Sequence, residues 1–139
     1  MSASREDMLD KVRQWARYAD EDLDLARQAL TMGAKCPHRL VAYHAQQCAE
    51  KYLKAYLVHR CADFPFTHSI SLLLELCRDF VTWPESLGDA DVLTRFAIKA
   101  RYPGEEAEVS AEKARMAVDL ATRVREVVRQ ALTDEGVNL

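Results

Sequence analysis

Apolar residues recur every three or four positions through most of this chain, the period of a helix with one buried face. Met8, Val12, Trp15, Ala19, Leu23, Ala26 and Leu30 keep that spacing and predict a first helix from about Ser4 to Leu30. At 1.5 Å per residue it spans roughly 40 Å. Ser4 followed by Asp7 resembles a capping box, and Gly33 can take the left-handed conformation that ends a helix. A second helix begins near Pro37, whose fixed φ suits a first helical position, and reaches about Arg60. On it Val41, Ala45, Cys48, Ala49, Tyr52, Leu53 and Tyr56 share an arc of roughly 140°. Arg39, Tyr43, His44, Gln46, Gln47, Glu50, Lys51 and Lys54 take the opposite arc. This is the cleanest amphipathic pattern in the sequence.

Asp63 to Thr67 reads as a loop, because Pro65 stops helix continuation. Thr67 is positioned to cap a third helix from His68 to about Val81, with Ile70, Leu73, Leu74, Cys77 and Phe80 inward. Trp83-Pro84 breaks that helix. Val92, Leu93 and Phe96 predict a shorter fourth one from about Ala90 to Ala100, and Arg101-Tyr102-Pro103-Gly104 forces a turn. Ser110 caps a last helix to about Leu132, with Ala114, Ala117, Val118, Ala121, Val124 and Val128 inward. The expected fold is therefore all-α, an up-and-down bundle of four to five helices over residues 5–132, with a tail at 133–139.

Composition narrows the class. The 139 residues fit one domain, and such a domain buries roughly two-thirds or more of its unfolded surface without a disulfide or metal. With 49% hydrophobic residues and charges of mixed sign, disorder is disfavoured; four Gly and four Pro are too few for a turn-rich β-sandwich. No apolar run approaches the ~20 residues of a membrane span, and MSASREDMLDK lacks the apolar centre of an export signal, so the expected location is the cytoplasm. Cys36, Cys48, Cys61 and Cys77 form no C-x-x-C pair and read as reduced, mostly buried thiols rather than metal ligands. No metal or cofactor is expected.

The net charge of −3 argues against bulk electrostatic binding of duplex nucleic acid. It hides an asymmetry. Residues 35–60 carry Lys35, Arg39, Lys51, Lys54 and Arg60 against Glu50 alone, a balance of +4. Residues 61–91 carry Arg78 against Asp63, Glu75, Asp79, Glu85, Asp89 and Asp91, a balance of −5. Such segments either pair across the bundle or leave a local anion site.

Four groups of residues have chemistry to offer. Arg39 and His44 have the residue types for RNA cleavage, the imidazole moving a proton and the guanidinium stabilising phosphate charge. On a regular helix, however, they diverge by about 140°. Gln46, Gln47, Glu50, Lys51 and Lys54 form either a solvated stripe supported by the Glu50–Lys54 pair or a strip that contacts a phosphate-bearing ligand or partner. His68 at a helix start reads as a polar anchor for its loop. Arg101, with Tyr102 beside it, can bind phosphate or brace the turn.

The run Tyr43-His44-Ala45-Gln46-Gln47-Cys48-Ala49-Glu50-Lys51-Tyr52-Leu53-Lys54-Ala55-Tyr56-Leu57 closely resembles the signature helix of the HEPN domain, hAxQxAEKxLKAxL. Trp15 to Ala26 is similar to the family's first helix, Pro65 to Leu73 to its pxtHsLxxLL segment, and Ala100 to Pro103 to its aRYP turn. The four motifs occur in order between about residues 5 and 132.

The resemblance implies a metal-free helical bundle, usually a homodimer, associated with nucleotides or RNA. It also implies a nucleotidyltransferase partner in a two-gene, toxin–antitoxin-like system. Ribonuclease members of the family carry Arg-x4-6-His late in the domain. Here no histidine follows His68, and Arg39 and His44 lie in a different element, so the nuclease role is not carried onto them. The expectation is a non-catalytic module whose Gln47, Glu50, Lys51, Lys54, Arg101 and Tyr102 surround a nucleotide- or phosphate-binding cleft. The alternatives are a metal-independent ribonuclease toxin using Arg101 or Arg39 with His44 or His68 across a dimer, and a purely structural interaction bundle.

Overall fold

The computed structural model describes residues 2–99 and 109–139. Five α-helices lie within them: α1 (Ser2–Leu30), α2 (His38–His59), α3 (Ile70–Cys77), α4 (Thr94–Lys99) and α5 (Ala111–Asp134). Two 3-10 segments, Gly33–Lys35 and Glu85–Leu93, complete the regular structure, and no strand occurs among the described residues.

The helix α2 is the axis of the bundle. It packs against α1, α5, α3, α4 and the Glu85–Leu93 segment, so neighbours surround it on nearly every side. Small residues make this possible. Ala16, Ala19 and Ala26 of α1 and Ala42, Ala45 and Ala49 of α2 are all buried, and such side chains let helix axes approach closely. Leu23, Leu53, Leu57, Leu73, Leu93 and Leu132 are fully buried around this axis, each contributing about 1.5–3 kcal/mol of hydrophobic stabilisation. Every residue assigned from the sequence to the inner arc of α2 is buried.

Helix ends follow local chemistry. Ser110 caps α5 as expected, its hydroxyl accepting from the Lys113 N–H at 3.1 Å. Gly33 takes φ +64° after α1. Beyond α5, Gly136 at φ +85° closes a left-handed cap in which the Val137 N–H reaches the Leu132 carbonyl at 2.8 Å, and the Val137 side chain is buried. The same cap ends α2, where the Ala62 N–H reaches the Leu57 carbonyl at 3.0 Å, but its left-handed residue is Cys61 at φ +55°.

Five boundaries differ from expectation. Helix α1 begins at Ser2, so Ser4 lies in its first turn rather than capping it. Pro37 is the cap of α2, not its first residue. Helix α3 starts at Ile70 and is capped by Ser69, because His68 turns toward α2 and Thr67 instead accepts from the Ser69 N–H. It ends at Cys77, not Val81. The predicted helix from Ala90 is preceded by 3-10 structure from Glu85, since Leu87, Ala90 and Leu93 recur every third residue and one face of a 3-10 helix has that period. This segment and the first residue of α4 also complete the start of α3: Thr94 accepts from the Ile70 N–H, and Asp91 from the Ser71 N–H.

Candidate functional site

The polar arc of α2 does not face open water. Gln46, Glu50 and Lys54 are 0%, 4% and 5% exposed, and Gln47 is buried with them. Because α2 has neighbours on its second side as well, its polar residues must satisfy one another. Glu50 is the hub. Its Oε1 accepts from Gln46 Nε2 at 2.8 Å and from His68 Nδ1 at 2.7 Å, while Oε2 accepts from Lys54 Nζ at 2.8 Å. Gln47 then donates to Gln46 Oε1 at 2.7 Å. The Lys54 ammonium also lies 5.7–6.0 Å from the ring centres of Trp15, Phe64 and Phe66, within cation–π range.

Burial alone raises the Glu50 carboxyl, but hydrogen bonds from Lys54, His68 and Gln46 outweigh it and hold the group below the usual carboxylate range. Glu50 is therefore ionised at neutral pH, which makes His68 Nδ1 the donor in their contact.

A second carboxylate stands at the edge of this buried network. Asp22 of α1 accepts from Lys51 Nζ at 2.6 Å and from His44 Nδ1 at 2.8 Å, all three groups being partly exposed. On α2, His44, Gln47 and Lys51 follow at steps of three and four and so line one edge of the helix. Lys51 keeps further N–H donors, and His44 Nε2 makes no hydrogen bond among the described residues.

Two other carboxylates bind α2 to the rest of the bundle. Asp20 takes the Tyr52 hydroxyl and Arg125 Nε, the latter at 2.8 Å, joining α1, α2 and α5. Burial and then Asp20 push the Tyr52 phenol upward. Glu135 accepts from the Tyr56 hydroxyl at 2.7 Å, His59 at 3.1 Å and Arg60 at 2.8 Å, fixing the chain end beyond α5 to α2. The basic segment thus pairs with α1, with its own Glu50 and with Glu135.

The residues singled out from the sequence separate into groups. Glu50, Lys54 and His68 meet in the interior, whereas Lys51 and His44 meet on Asp22, with Gln47 between the two clusters. Arg39 lies in the first turn of α2, so the helix already runs before it and its side chain leaves the axis about 140° from His44. Arg101 and Tyr102 lie outside the described residues. Asp20, Asp22 and Glu135 were not singled out. For the first two a signal existed: each sits three and four residues from apolar positions of α1, at the margin of the buried stripe.

Cys36, Cys48 and Cys77 are buried free thiols, and Cys61 is exposed. Burial pushes the Cys77 thiol up to about 12. Among the described residues no cluster of three metal-ligating side chains occurs, and no helix is long and apolar enough to cross a membrane.

No curated protein matches the chain. Among solved structures it is similar to TT1696 from Thermus thermophilus, with a TM-score of 0.76 and 30% identity, over 86% of this chain and 97% of that one. It is also similar to ST0689, an archaeal HEPN homologue, with a TM-score of 0.70 and 26% identity, over 87% of this chain and 97% of that one. The HEPN domain family model matches residues 12–131, which contain the whole Glu50 network and the Asp22 edge. The chain belongs to the HEPN domain family.

Proposed function

We propose that this HEPN protein is a dimeric binding module for a nucleotide or other phosphate-bearing ligand, acting with a nucleotidyltransferase partner in a two-gene, toxin–antitoxin-like system. The observation that carries the ligand reading is the division of labour along α2. Glu50, Lys54 and His68 satisfy one another inside the bundle, leaving Lys51, His44 and the adjoining Gln47 as the edge where an anion can be held. Lys51 offers a point charge with spare donors, His44 offers Nε2, and Asp22 holds both in place while accepting from them. Glu50 and Lys54 then support the site from behind rather than touching the ligand. Arg101 and Tyr102, which precede α5 in the sequence, are the further phosphate-binding candidates of this reading.

The dimer reading rests on α1. Tyr18, Leu25 and Met32 are exposed and repeat every seven residues, an apolar stripe along one side of the long helix and its end. The nucleotidyltransferase partner rests on family membership alone.

A second reading has one specific support. The Asp22 carboxylate holds His44 Nδ1, the arrangement that orients a general base and leaves Nε2 free to move a proton. In that reading the protein is a metal-independent ribonuclease, with Arg39 or Arg101 supplied across the dimer. Incubation with single-stranded RNA separates the two: intact RNA supports the binding module. Cleavage that disappears in a folded His44→Ala variant rejects it in favour of the nuclease.

A further inference from the structure

The chain between α3 and the Glu85–Leu93 segment leaves an open groove against α5. Its floor is apolar: Val81, Trp83 and Pro84 on one side, Val127 and Ala131 of α5 on the other, around a hollow of about 410 Å³. A second hollow of about 390 Å³, reaching Leu74 and Leu87, adjoins it across Trp83-Pro84. Two hollows separated by one ridge suit two large apolar side chains on one face of a helix.

The rim is acidic. Glu126 and Asp134 border the first hollow and Glu85 the second. Glu126 and Glu85 meet no cation among the described residues, and Asp134 accepts only from the neutral Gln130, at 2.8 Å. The nearby Glu135 is already occupied by Tyr56, His59 and Arg60, and Arg78 at the second hollow is the one basic residue among the described residues lining either.

From this combination we infer that the Trp83 groove is a docking site for a basic amphipathic helix of another protein, one with two apolar anchors flanked by Lys or Arg. The apolar floor supplies affinity, and the carboxylates select the sign of the partner's charge. The site uses none of the α1 stripe or the Asp22 edge, so it stands or falls separately from the dimer and from the ligand.

Tryptophan emission reads the site directly, since Trp15 and Trp83 are the only tryptophans. In a Trp15→Phe background, an 18-residue Leu/Lys amphipathic peptide is titrated against its Leu/Glu counterpart. The Leu/Lys peptide shifts Trp83 emission saturably, the Leu/Glu peptide does not, and added salt weakens the effect. Ala131→Arg, which fills and charges the floor, weakens binding about tenfold or more, the effect of one central interface residue. Equal response to both peptides, or no saturable response to the Leu/Lys peptide, overturns the proposal. So does a change in the sedimentation coefficient of Ala131→Arg alone, because the groove would then be filled by a second copy of this chain.

Discussion

His68 donates its Nδ1 proton to Glu50 Oε1 at 2.7 Å, linking the loop after α2 to the middle of that helix. This contact explains why α3 begins at Ile70: the residue that would have opened the helix is held by a buried carboxylate instead. It also makes Glu50 a structural centre, with three side chains from two segments converging on it.

Removing Glu50 therefore strands a buried ammonium. Glu50→Ala should cost about 3–5 kcal/mol in urea unfolding, because Lys54 loses the counter-charge that offsets its desolvation. Replacing both partners, as Glu50→Leu with Lys54→Met, should cost distinctly less than Glu50→Ala. A double variant as unstable as the single one would show that the pair is not what holds this region.

Acid sensitivity follows from the same carboxylate. The folded state holds Glu50 and Glu135 below their ordinary value, so both contribute stability that is complete above that value, near 4.5. The contribution is lost as pH falls through the folded values. The urea midpoint should stay level from pH 7 to about 5 and then fall more steeply in the wild type than in a Glu50→Ala chain. Parallel pH profiles for the two proteins would contradict this.

Much of this architecture was legible beforehand, for reasons particular residues make plain. The inner arc of α2 and the Ser110 cap depend on periodicity and local hydrogen bonding, which the sequence carries directly. Burial of Gln46, Glu50 and Lys54 depends on which elements cover the other side of α2, and an amphipathic wheel assigns such residues to water by default. The Asp22 edge is likewise tertiary: Asp22 and Lys51 are 29 positions apart and meet only because α1 lies along α2. The 3-10 start at Glu85 was concealed because a spacing of three fits both helix types.

Cys61 occupies a left-handed position at φ +55°, where a side chain is disfavoured. Cys61→Gly should raise stability by about 1 kcal/mol in chemical denaturation, as Gly relieves the strain in the cap that ends α2. Loss of stability would mean that the Cys61 contact with Met8, at 3.1 Å, outweighs the backbone term.

The apolar stripe on α1 predicts the oligomer. Leu25, 54% exposed at its centre, becomes charged in Leu25→Lys, and sedimentation velocity should then report a monomer where the wild type is a dimer. A dimer that survives the substitution would place the interface elsewhere.

In the proposed site Lys51, not the buried Lys54, faces the ligand. Thermal unfolding with and without millimolar ATP tests it most directly, because a ligand bound to the folded state raises the melting temperature. The wild type should gain a few degrees, Lys51→Ala none, and Lys54→Met should keep the gain from its own lower baseline. An unchanged melting temperature in the wild type, or an equal gain in Lys51→Ala, would show that Lys51 does not hold the ligand.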